Sequence, residues 1–152
     1  MRNPTTEKKF CLKVRAIIHD GDNLFVVKIK GQKFCFLPGG THEIGETLAN
    51  TLVREMKEEI GLSAEVKQYL GVIENSWSED NSHIYEINHV FEVAIPKLNA
   101  KVNPPSLENH IEFFWLRQED FEKQKLLPVI IQPLIVKWLA GDKKIWKECN
   151  FE

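Results

Sequence analysis

Cysteine is scarce in this chain. It occurs three times in 152 residues, at Cys11, Cys35 and Cys149, an odd number with no CxxC pair. That argues against a disulfide framework and a structural zinc site, and fits reduced thiols in a cytoplasmic protein. Long apolar runs are missing too. The most apolar stretch, residues 126–136, is broken by Pro128 and Pro133 and is too short to span a bilayer. The first nine residues lack the apolar segment of a secretory signal, so a soluble location without membrane association is expected. Neither sign of charge dominates: 20 Lys and Arg stand against 22 Asp and Glu, a net charge of -2. No bulk positive field is available to hold nucleic acid. Internal repeats and low-complexity segments are absent. A composition that is 43% hydrophobic and 28% charged suits one globular domain over residues 1–152. Function must then reside in a local constellation.

Residues 10–18 and 24–29 are rich in β-formers and flank Asp20-Gly21, the pattern of a hairpin. A short apolar run at 34–37 stops at Pro38-Gly39-Gly40. Leu48, Leu52, Met56 and Ile60 repeat every four residues, with Gly61 after the last, so the spacing predicts a helix over 47–60 with a glycine cap. Residues 64–74 read as a strand, 75–82 as a polar loop carrying Trp77, and 84–94 as a strand in which Tyr85, Ile87, His89, Phe91 and Val93 share a face. Residues 96–109 read as a loop, 111–116 as a strand, and 128–141 as a helix that Pro133 kinks or delays. The mixture of strands and helices implies an α/β fold with helices packed on a mixed sheet.

Glu55, Glu58 and Glu59 stand at i, i+3 and i+4 on the predicted helix, along the edge of its apolar stripe. From Glu43 to Glu59, five glutamates face only Arg54 and Lys57, a local charge of minus three. Carboxylates this close raise one another's pKa, and a hard divalent cation with oxygen ligands resolves the conflict. By itself such a cluster is more often a solvated acidic face. It is not by itself here. Gly40, Glu46, Arg54, Glu55, Glu58, Glu59 and Gly61, with apolar Met56 and Leu62, follow the spacing G-x5-E-x7-R-E-U-x-E-E-x-G-U (U, apolar). This resembles the signature box of the Nudix hydrolases, complete over residues 40–62, in a chain that looks MutT-like.

The resemblance implies an α/β/α sandwich around a central mixed sheet, with the box forming loop–helix–loop. It also implies a pyrophosphohydrolase, cleaving a nucleoside diphosphate linked to another moiety by water attack on phosphorus. The family's metal ligands fall on Glu55, Glu58 and Glu59, joined by the main chain of Gly39. The implied cofactor is Mg²⁺, with Mn²⁺ as a substitute. Arg54 and Glu46 fall where the family supports its catalytic helix. The general base comes from a later loop, with Glu112 preferred over Glu108. Arg15, Trp77 and Gly40 are candidates for substrate contact, although Arg15 and Trp77 each fit a plainer structural role as well. The expected partner is a small nucleotide, and the apolar C-terminal region allows a homodimer. Two alternatives share the fold: a nucleotide-sensing module without hydrolysis, and a pyrophosphohydrolase of RNA 5′ ends, which the charge balance disfavours.

Overall fold

The computed structural model describes residues 6–151; the start of the N-terminal stretch read above, residues 1–5, lies outside them. In chain order the elements are β1 (Glu7–Ile17), β2 (His19–Asp20), β3 (Asn23–Ile29), β4 (Cys35–Phe36), β5 (Gly39–Thr41), α1 (Leu48–Ile60), β6 (Glu65–Glu79), β7 (Ser82–Ala94), β8 (Ile111–Arg117), a 3₁₀ turn (Gln118–Asp120), β9 (Leu126–Leu127), α2 (Ile131–Leu139) and β10 (Trp146–Asn150). They form an α/β fold with two mixed sheets. The larger has the order β10-β6-β7-β1-β5, in which β1 runs parallel to β7 and β10 parallel to β6. The smaller has the order β2-β3-β4-β9, with β8 also paired to β3. Among the described residues no helix is long and apolar enough to cross a membrane.

Each helix closes one apolar cluster. Helix α1 begins where the Thr47 hydroxyl accepts a hydrogen bond from the Asn50 N–H at 3.1 Å. It ends at Gly61, whose φ of 72° is left-handed and costs glycine little. Its stripe lays Leu52 and Met56, both fully buried, against Val14 and Ala16 of β1. Helix α2 presses Ile131, Ile135 and Trp138 onto Ile17, Leu24, Ile73 and Val90 from both sheets. The 3.6-residue period of α1 thus fixes the face it buries, and with it the direction of the acidic edge.

Four expectations need correction. Residues 10–18 and 24–29 do not form a full hairpin. Only His19 and Asp20 pair with β3, because β1 belongs to the larger sheet and the chain changes sheets at Ile18. Residues 75–79 are strand, not loop: β6 and β7 pair as far as Glu79 and Ser82 around a turn at Asp80 and Asn81. The run Asn-Ser-Trp-Ser-Glu looks like loop by composition, but cross-strand pairing overrides that weak preference. Helix α2 starts at Ile131 rather than 128, placing Pro133 in the first turn, where its missing N–H breaks no helical bond. Finally, residues 146–150, for which no element was expected, form β10, an edge strand beside β6 that opens at Trp146.

Candidate active site

A cleft of about 950 Å³ opens between the two sheets. Strand alternation brings Arg15 from β1 to its floor, and Phe34 and Phe36 stand on the smaller-sheet side. Helix α1 contributes Glu55 and Glu59, and Gly39 and Gly40 of β5 lie beside them. Strand β5 is tied to β1 through the pairs Arg15↔Gly39 and Val14↔Gly40, so box, glycines and Arg15 share one rigid edge. A Cβ at Gly40 would collide with the Glu55 carboxylate; the absence of a side chain is what lets that carboxylate in.

Glu59 is buried, and its carboxyl is pushed up to about 8, first by burial and then by the neighbouring Glu55 charge, with which it shares a hydrogen bond. Two carboxyls facing each other in this way mark a place short of positive charge. Glu55, Glu59 and the flanking glycine main chain fit a hard cation that takes oxygen ligands. Glu58 is held differently. Its side chain is 53% exposed and one oxygen accepts from Arg54 at 3.4 Å. Among the described residues no three acidic, imidazole or thiol groups are gathered tightly enough to enclose an ion as they stand. For Glu58 to join Glu55 and Glu59 at one ion, its side chain would have to turn away from Arg54.

Arg54 organises the carboxylates. Its Nε and Nη2 donate to Glu46 at 3.0 and 2.9 Å, its Nη1 to Glu55 at 3.0 Å, and its Nη2 also to the Thr41 carbonyl at 3.1 Å. The forked Glu46 pair holds the Glu46 carboxyl down to about 2, with help from the Thr51 hydroxyl. The folded value lies below the ordinary one of 4.5, so this interaction stabilises the fold fully above about 4.5 and fades as pH falls toward 2. Arg54→Met is accordingly expected to lower the thermal midpoint at pH 6. Its melting curve should converge with the wild-type curve as pH falls through that window, in a Tm series from pH 6 to pH 2.

The other expected site residues separate into two groups. Arg15 and Trp77 both line the cleft. Arg15 donates to the Leu37 carbonyl at 3.2 Å and to Asn88 Oδ1 at 3.4 Å, and its guanidinium lies 5.3 Å from the Phe36 ring centre. Burial pulls its pKa down, while Glu86, Glu59 and Glu55 pull it up. Glu112, the preferred base, is not with them. It is exposed, pairs across β8 with Lys28 of β3, and faces a separate depression beside Trp115. Glu108 lines the cleft instead, and its charge acts on Glu59. The chain also brings Leu107 N–H onto the Glu59 carbonyl at 2.7 Å, fixing the Glu108 loop to the end of α1. Alternation explains the difference: Glu112 lies within a strand and takes the outward face, whereas Glu108 sits on the loop before it.

Two cleft residues had not been singled out, Glu86 and Asn88 of β7. The signal was present. If Tyr85, Ile87, His89 and Phe91 share one face, then Glu86 and Asn88 interrupt the other, and a polar interruption on a covered face calls for an explanation.

Compared with known proteins, the chain matches the NUDIX domain family over residues 9–138. An ADP-ribose pyrophosphatase of Methanocaldococcus jannaschii is 38% identical over 90 residues, 57% of this chain and 53% of that protein. The chain spans about half the length of the curated relatives it matches. Among solved structures, the MutT protein of Methanosarcina mazei superimposes with a TM-score of 0.66 at 21% identity, covering 91% of this chain and 99% of that one. A NUDIX hydrolase from Nitrosomonas europaea gives 0.67 at 16% identity, covering 93% and 79%. These two likenesses are of fold.

Proposed function

The chain belongs to the NUDIX family, and from that premise we propose that it is a divalent-cation-dependent pyrophosphohydrolase acting on a nucleoside diphosphate linked to another moiety. The observation that carries this reading is the meeting of Glu55 and Glu59 with Arg15 across one cleft. Such a site has carboxylates to hold a cation and a guanidinium to bind phosphate. Mg²⁺ or Mn²⁺, held by Glu55, Glu59, a rotated Glu58 and the main chain of Gly39, would supply neutralisation of the phosphate charge and an acidified water.

The chain's own groups do the rest. Arg15 is clamped through Nε to Asn88 and through Nη1 to the Leu37 carbonyl. Its Nη2 has no protein partner among the described residues and is left to grip a phosphoryl oxygen. Glu108, on the loop fixed to the end of α1, is placed to take the proton of the attacking water. Arg54 touches no substrate; it positions Glu55 and ties the box loop to the helix. Trp77 and the phenylalanines form walls on which a flat group can rest. The relative named as an ADP-ribose pyrophosphatase makes ADP-ribose one substrate to try. The three free cysteines suit a reducing cytoplasmic setting.

The test is a product screen. Nucleoside triphosphates, ADP-ribose and nucleotide sugars are incubated with Mg²⁺ or Mn²⁺, and products are resolved by ion-exchange chromatography. The expected result is cleavage of a phosphoric anhydride that stops when a chelator is added. Tight nucleotide binding without any product would overturn the hydrolase reading and leave a sensing module.

A further inference from the structure

The floor of the cleft is a sheet face, and its outer half is polar where an apolar core face would be the rule. Glu86 is 6% exposed and Asn88 4% exposed, yet both line the cavity. The Asn88 amide donates to one Glu86 oxygen at 3.1 Å and to the Ile73 carbonyl, and its own oxygen accepts from Arg15. Among the described residues, the second oxygen of Glu86 has no partner. Asn75 lies directly opposite Glu86 in the β6–β7 register. Its oxygen accepts from Asn150 at 2.9 Å, leaving its amide N–H groups unused. The cleft therefore holds a fixed row of polar atoms: a carboxylate that only accepts, and next to it an amide that donates.

Register and side-chain contacts together give the distance from the phosphate end. Arg15 pairs with Val90, and Glu86 lies four residues before Val90 on the same strand. The side chains are closer than the Cα register: Arg15 Nε lies 3.4 Å from Asn88 Oδ1 and the Asn88 amide nitrogen 3.1 Å from Glu86, so with the width of one amide the guanidinium and carboxylate are at most roughly 9 Å apart. What points to a base at Glu86 is the flat wall beside it, not the length of the interval. Trp77, two positions beyond Asn75 on β6, stands beside it as a stacking wall.

We infer that Glu86 and Asn75 form a base-reading subsite that selects a guanine-type edge. Guanine presents an amino group, a ring N–H and a carbonyl in sequence: donor, donor, acceptor. Glu86 accepts from the first two and Asn75 donates to the third. Adenine offers one donor beside a ring acceptor that a carboxylate repels. Uracil has one donor between two acceptors, and cytosine one donor beside acceptors. Asn88 is a positioning residue, holding the Glu86 carboxylate and Arg15 in one chain of hydrogen bonds. A built hydrogen-bonding site discriminates because the wrong ligand leaves buried polar groups unpaired. The inference rests on the hydrolase reading for the position of the phosphates.

The test compares kcat/KM for GTP, ITP and ATP with the wild-type protein and Glu86→Gln. ITP differs from GTP only by the missing amino group. GTP is expected to exceed ITP and ATP by roughly 10- to 100-fold, as one bidentate base contact discriminates. Glu86→Gln, whose amide can donate or accept, is expected to bring the ratios close to one. Equal turnover of GTP, ITP and ATP by the wild type would overturn the subsite while leaving the hydrolase reading intact, and so would an unchanged ratio in a folded variant. Circular dichroism reports whether the variant folds, and if it does not, the wild-type GTP/ITP pair decides alone. If nothing is hydrolysed, calorimetric binding of GDP, IDP and ADP decides instead. Tighter GDP upholds the subsite without the activity; equal affinities overturn it.

Discussion

Glu59→Gln is expected to cut turnover by roughly 10³-fold or more and, at the same time, to raise the thermal midpoint of the metal-free protein. On the proposed function, the loss follows from removing a charged ligand of a cation that would supply several kcal/mol to the reaction, each 1.4 kcal/mol being about tenfold in rate. The gain follows from burial. Glu59 faces Glu55 across a shared hydrogen bond, and its carboxyl is pushed up to about 8 by burial and by that neighbour. A glutamine amide donates to Glu55 and carries no charge into the site. The sign of the pH dependence is fixed: a carboxyl that binds its proton more tightly when folded favours the fold at low pH, and that stability is lost as pH rises from about 4.5 through 8. The Tm advantage of the variant should therefore widen over this interval in scans made with a chelator. Added Mg²⁺ should raise the wild-type midpoint and leave the variant nearly unmoved. A variant that loses stability at pH 8 without metal contradicts this account of the acidic pair.

Gly39→Ala should be the costlier change for the fold. Gly39 has φ of 148° and pairs with Arg15, and a Cβ there would run into the backbone carbonyl of Val14. No side-chain rotation relieves a clash with backbone, so β5 must leave β1 or β1 must bend. Local strain and overpacking of this kind cost about 2–4 kcal/mol. That corresponds to a Tm lower by roughly 5–15 °C for a chain of this size. Thermal denaturation followed by far-ultraviolet circular dichroism measures it directly. The neighbouring Gly40 is a different case, because its close contact is the movable tip of Glu55.

The legible parts of this molecule are those governed by local rules. Helix α1 could be read with its glycine cap, since the four-residue repeat and Gly61 each act over a few residues, whereas Thr47, read as its first residue, proves to be its N-cap. The acidic cluster followed, because helix geometry alone places Glu55 and Glu59 on one edge. What depends on partners distant in sequence was harder to read. Nothing local at Ile18 says that the chain changes sheets. The polar run at 75–79 becomes strand only because β7 pairs with it residue for residue. The choice between Glu108 and Glu112 turned on where β8 begins, a boundary that hydrophobic pattern fixes poorly. Glu86 and Asn88 could have been found by asking why one face of a strand covered on both sides carries polar residues.

The parallel pairing of β1 with β7 reaches beyond the finished structure. Glu7 lies beside Ser82, and the register continues unbroken to Ile17 and Glu92. Strand β1 is thus made 75 residues before the neighbour it needs. At common rates of synthesis that interval is on the order of 4–15 s. During it, the glycine strand and the box helix emerge with only one edge of β1 to dock on. The acidic pair that the mature protein keeps under cover is then without the later segments that pack on it, among them the Glu108 loop, whose Leu107 N–H bonds the Glu59 carbonyl. Long-range parallel pairing also makes refolding slow relative to helical proteins of this size. The order in which the ribosome delivers strands thus decides when the site first closes.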